Sequence, residues 1–89
     1  MRIYLLDGKD MTDKEAAFTV ISEEMSFPEW FGRNLDALYD CLTDIPEDDQ
    51  VIFVNTSLLV ENLGEYGDGI LACFNDASEE NGFTLRMKQ

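Results

Sequence analysis

The apolar residues of this chain fall into runs and repeats that divide it into alternating strands and helices. Ile3 to Leu6 are four apolar positions in a row, closed by Asp7-Gly8, and predict a buried strand followed by a turn. Thr12 and Glu15 form a T-x-x-E capping box, in which each side chain satisfies an otherwise unpaired amide at a helix start. Ala17, Phe18, Ile21 and Met25 recur behind it at helical spacing, and this first helix ends before Pro28. Asn34 is the predicted N-cap of a second helix running to about Asp44. Leu35, Leu38, Leu42 and Ile45 line one side of it, Asp36 and Asp40 the other, and Pro46 stops it.

Residues 51–54, Val-Ile-Phe-Val, predict a second fully apolar strand. Thr56 or Ser57 can cap a short third helix that holds Leu58, Leu59 and Leu63 and ends at Gly64. A fourth helix, from about Asp68 to Asn81, turns Ile70, Cys73 or Phe74, and Ala77 inward, with Gly82 at its C-terminal cap. Phe83, Leu85 and Met87 then alternate with polar residues, as an edge strand with one wet face would. Short apolar strands separated by helical crossovers predict an α/β fold: three parallel strands covered by about four helices. No repeat, low-complexity stretch or linker interrupts residues 1–89, so the expectation is one domain.

A chain of 89 residues buries roughly 60–65% of its unfolded surface, which leaves little room for a deep cleft with its own supporting shell. Nineteen acids against six bases give a net charge of −13, and there is no histidine. Such a field repels nucleic acids and anionic membranes and attracts basic proteins. On charge alone, simple solubility is the commoner explanation. The N-terminal apolar run is too short for a signal peptide or a membrane span, so the expected compartment is the cytoplasm. Cys41 and Cys73 lie 32 residues apart without a CxxC pattern, which argues against zinc or redox chemistry and for two small apolar side chains. No nucleophile elbow, phosphate loop or EF-hand pattern occurs, and no metal, cofactor or catalysis is expected.

The informative stretch is Phe27 to Asp44. Phe27, Trp30 and Phe31 occupy a loop, and Gly32 after them can take a conformation closed to other residues. Asp36, Asp40 and Asp44 follow at intervals of four, where each like-charged helical pair costs a few tenths of a kcal/mol. Asp44 also lies near a helix C-terminus, where the macrodipole disfavours an anion. Aromatic anchors beside unpaired charges are what a protein interface uses. The competing explanation is that the aromatics are core residues and the acids a solvated face.

The segment FPEWFGRNLDALYDCLTD resembles the barstar family, intracellular inhibitors of barnase-type ribonucleases, at nearly every position. The resemblance implies a three-stranded parallel sheet packed with about four helices. It implies a non-catalytic inhibitor that blocks a secreted or toxin ribonuclease, a basic, guanyl-type enzyme, and that is monomeric when free. Asp40 would stand in for a substrate phosphate in the nuclease cleft, and Asp36 would pair with a basic residue at its mouth. Trp30 would lie against a base-recognition side chain, while Gly32 and Asn34 supply close approach and capping. Phe31, Leu35, Tyr39, Thr43, Asp44 and Ile45 complete the implied partner-binding set, and Asp76 and Glu80 assist through their field. Arg33 stands where a member of the family carries an acid, and Glu29 or Asp36 is its expected local partner. The alternative is an acidic adaptor or nucleic-acid mimic that binds a different basic protein through the same face.

Overall fold

Val51 and Phe53 are apolar enough to be enclosed on all sides, and they lie on the central strand. In a computed structural model covering residues 1–89, the strands are β1 (Ile3–Asp7), β2 (Gln50–Val54) and β3 (Thr84–Met87). They form one parallel sheet in the order β1-β2-β3, with Leu5 opposite Ile52 and Ile52 opposite Arg86. Four helices connect them: α1 (Lys14–Glu24), α2 (Leu35–Leu42), α3 (Thr56–Leu63) and α4 (Glu65–Asn81). The expected α/β architecture of three parallel strands and four helices is therefore present, with an added 3-10 turn at Gly8–Asp10.

The helices cover one face of the sheet. Tyr4 and Leu6 of β1 join Val51 and Phe53 of β2 in a core with Phe18, Ile21, Leu38, Leu42, Leu59, Ile70 and Phe74. Phe53 meets Phe74 edge to face at 5.3 Å, a favoured aromatic geometry. The opposite face is left open, and Ile3 and Leu5 stay 57% exposed there. β1 is thus a half-buried edge strand and not the enclosed strand its composition predicts. Its free edge is partly closed, because the Leu5 amide donates to the Glu24 carboxylate at 3.1 Å.

Both ends of the sheet are stitched by long-range hydrogen bonds. At one end, buried Asp49 accepts from the Arg2 amide at 3.0 Å, the Gln50 amide donates to the Arg2 carbonyl at 2.8 Å, and the Thr84 amide donates to the Asp49 carbonyl at 3.1 Å. At the other, the Lys88 amide donates to the Phe53 carbonyl, and the Thr56 amide donates to the Lys88 carbonyl. This second stitch replaces the expected side-chain cap on α3. Its N-cap is Asn55, in the left-handed region at φ 53°, and Thr56 and Ser57 lie inside the helix with their hydroxyls turned to the Lys88 and Gln89 carbonyls.

Two other helix starts also differ from expectation. Asp13, not Thr12, caps α1, with its carboxylate accepting from the Ala16 amide at 2.8 Å. A carboxylate at that point also meets the positive end of the helix dipole, which a threonine hydroxyl does not. α4 begins at Glu65, three residues before Asp68, because Gly64 turns the chain at φ 60° and Tyr66 packs edge-on to Phe18. Gly82 ends α4 in the left-handed region as expected.

Candidate partner-binding face

Three aromatics enter the loop before α2, but their side chains part company. Phe27 and Phe31 meet edge to face at 5.1 Å, and Phe31 meets Phe18 of α1 at 5.7 Å, so both serve as plugs for the core. Trp30 is 81% exposed. The surplus of aromatics reduces to one displayed indole on a loop pinned by its neighbours.

Gly32 does not take the left-handed conformation; Arg33 does, at φ 54°. Gly32 is instead tightly packed, since a Cβ there would lie 3.2 Å from that of Ala37. The Arg33 guanidinium turns away from Glu29 and Asp36. It donates to the Glu15 carbonyl and the Thr19 hydroxyl of α1, both at 2.9 Å, and pairs with the Glu15 carboxylate at 3.4 Å. Asn34 caps α2 as expected, accepting from the Ala37 amide at 2.8 Å.

α2 buries Leu38 and Leu42, half-buries Leu35 and Tyr39, and exposes Asp36 and Asp40. It ends at Leu42, two residues short of the expected limit, with the Thr43 hydroxyl donating to the Asp40 carbonyl at 2.7 Å. Asp44 follows, exposed, and Ile45 returns to the core. α4 holds α2 at both ends. The Cys73 thiol lies 3.6 Å from the Leu35 carbonyl, the absence of a side chain at Gly69 makes room for Leu35, and the Asn81 amide donates to the Thr43 carbonyl. Ile45, Phe31 and Leu35 therefore fix the geometry of the face more than they display a surface.

Trp30 stands between two open hollows. One, of about 290 Å³, is lined by Phe31, Gly32, Ala37, Asp40 and Asp44; the other, of about 250 Å³, runs towards Tyr4, Met25 and Pro46. Cys41 contributes to both walls. Its thiol is pushed above the ordinary range by burial and then by Asp44 and Asp40. Cys73 is raised likewise, by burial and then by Asp76 and Asp36. Asp36 of α2 and Asp76 of α4 thus act on the same thiol, which brings these two acids to one side of the molecule. Glu80, also exposed, lies one helical turn beyond Asp76. None of Asp36, Asp40, Asp44, Asp76 or Glu80 has a basic partner within the chain.

This arrangement offers an uncompensated anionic surface, a rigid helix beneath it and one large aromatic beside a hollow. The chain matches the family model described as Barstar (barnase inhibitor) over residues 1–88. It belongs to the barstar family. It is also 36% identical to a protein of Bacillus subtilis (strain 168) named "Putative ribonuclease inhibitor YrdF", over 90% of this chain and 89% of that protein. The barstar-family resemblance of the segment around α2 thus extends along the chain. No helix is long and apolar enough to cross a membrane. No cluster of His, Cys, Asp or Glu is suited to hold a metal ion.

The inward turn of Phe31 and the role of Asn81 escape sequence reasoning. Phe31 sits in a loop without periodicity, and Asn81 reaches a carbonyl 38 positions earlier. Cys41 could have been found, because it lies one position after Asp40 on a helix whose register was already set.

Proposed function

We propose that this barstar-family protein is a non-catalytic cytoplasmic inhibitor of a basic, guanyl-type ribonuclease, and that it acts by occupying the nuclease's active site. The observation that carries the reading is the row of unpaired acids on α2 beside the exposed Trp30 and its hollow. A ribonuclease cleft stabilises phosphate charge with preorganised cations. A carboxylate fixed on a helix meets those cations without offering a bond to cleave. Asp40, at the edge of the hollow, takes the phosphate position in this reading. Asp36 meets a basic residue at the cleft mouth, and Asp44, Asp76 and Glu80 add to the attraction. Trp30 covers a base-recognition side chain, while Gly32, Asn34, Tyr39 and Thr43 shape the rim.

Long-range attraction between a −13 chain and a basic enzyme raises the association rate, and the desolvated charge pairs set the dissociation rate. The test is titration of barnase-like nucleases, including those encoded beside the inhibitor, with RNA cleavage as the readout. Stoichiometric inhibition that a mononucleotide in the cleft relieves is the expected result. Absence of inhibition at micromolar protein overturns the reading. Binding that the mononucleotide does not compete with would instead identify an acidic adaptor.

A further inference from the structure

We infer that Arg33 is a positioning residue that tethers the Trp30 loop to α1 and thereby presets the recognition face. The inference rests on the proposed inhibitor function, although half of its test needs no nuclease. Arg33 lies between the displayed Trp30 and the capping Asn34, in a backbone conformation that side chains other than glycine rarely adopt. Such a conformation persists where the surroundings impose it. Here they do so through the guanidinium, whose Nη2 alone donates to two acceptors set one helical turn apart. Glu15 and Thr19 are such a pair, four residues apart on α1, with their carbonyl and hydroxyl oxygens each 2.9 Å away.

The Glu15 carboxylate adds little, because its side chain is 85% exposed and its pairing is screened. The Trp30 indole has no hydrogen bond of its own, so its direction depends on the backbone held by buried Phe31 on one side and tethered Arg33 on the other. The tether also resolves an electrostatic conflict. A free cation in this loop would face a basic partner, and turning it onto α1 leaves the acids of α2 uncompensated. α1 contributes none of the proposed contacts, yet it becomes part of the recognition apparatus.

The sign of the effect makes the test decisive. If Arg33 pointed at the partner, removing it would relieve repulsion and tighten binding. As a tether, its loss weakens binding by disordering the loop. Arg33→Gly suits the local φ and removes the side chain with its guanidinium, so the fold should persist, as circular dichroism would verify. The expected results are a larger amplitude of nanosecond motion in the time-resolved anisotropy of Trp30, the chain's one tryptophan, and a roughly three- to tenfold weaker inhibition constant. Arg33→Lys, whose ammonium ends one bond short of the position of Nη2, should fail to restore either. Thr19→Val, which removes one acceptor, should move both readouts the same way by less. Unchanged or tighter inhibition by Arg33→Gly overturns the inference, and so does unchanged Trp30 anisotropy. If the unmodified protein inhibits no nuclease, the proposed function fails, while the anisotropy still decides whether the tether exists.

Discussion

Two faces of this protein show apolar groups to solvent, and they differ in what surrounds those groups. On the open face of the sheet, Ile3 and Leu5 are 57% exposed, and Ile52 links Leu5 by register to Arg86. Arg86 has no ion pair there. On the α2 face, Trp30 is 81% exposed and borders a hollow whose wall includes Asp40 and Asp44. A bare strand surface gives area without direction. An aromatic anchor among uncompensated acids selects a partner by charge as well as by fit. The comparison teaches that exposure alone does not mark a site, whereas exposure combined with a field and a rigid support does.

The sharpest way to break this contrast is Asp40→Ala. On the α2 face the expected loss of nuclease binding is about 2–5 kcal/mol, because a desolvated partner cation would be left unpaired. The measured barnase–barstar pair is itself the reference case for such figures, so the magnitude is carried over from it. Folding should respond in the opposite direction. Removing one of the acids spaced at four relieves repulsion, and alanine favours helix, so stability should rise by a few tenths of a kcal/mol. Urea denaturation and inhibition titrations on the same preparation measure both. Loss of stability together with binding would show that Asp40 holds the fold and does not act at an interface.

Trp30→Ala should come next, weakening binding by about 2 kcal/mol as a central aromatic anchor does. Its effect on stability should stay within about 0.5 kcal/mol, as for other exposed positions. The matching change on the sheet face, Leu5→Thr, should leave inhibition unchanged and stability within about 0.5 kcal/mol, since threonine is β-branched and suits an exposed strand position. A large loss of inhibition from Leu5→Thr would move the site to the other side of the molecule.

The two faces were unequally legible in the sequence. α2 announces itself because its leucines and its acids separate at the helical period, and Asn34 marks its start, whereas Pro46 lies beyond its end at Leu42. The sheet face is hidden because Ile3, Tyr4, Leu5 and Leu6 are all apolar, so no alternation shows which side is wet. Thr12 and Asp13 are adjacent and both suitable as caps, and propensity does not choose between them. The cap on α3 comes from a tail more than 30 positions away, and the acceptors of Arg33 lie 14 and 18 positions before it. Such choices are made by tertiary contacts, to which a local window is blind.

The smallest expected effects concern pH, and they separate the same two regions. Asp7, at the end of β1, is held below its ordinary value of 3.8, first by the Asn55 side chain and then by the Lys9 amide. A carboxyl depressed in the folded state adds stability that is complete above 3.8 and is lost as pH falls through its lower folded value. The thiols beside the acids of α2 behave oppositely. Cys41 and Cys73 are raised above 9.0, so their contribution is complete below that value and declines as pH rises past it towards their folded values. Tyr66, raised from 10.0 by burial, extends the same alkaline decline. Urea midpoints measured from acid to alkaline pH should therefore fall at both ends. Asp7→Asn should flatten only the acid limb, and Cys41→Ala with Cys73→Ala only part of the alkaline one. An alkaline limb untouched by the cysteine changes would mean that neither burial nor the neighbouring acids raise those thiols in the folded protein, and with it would go the alkaline half of the contrast between the two regions.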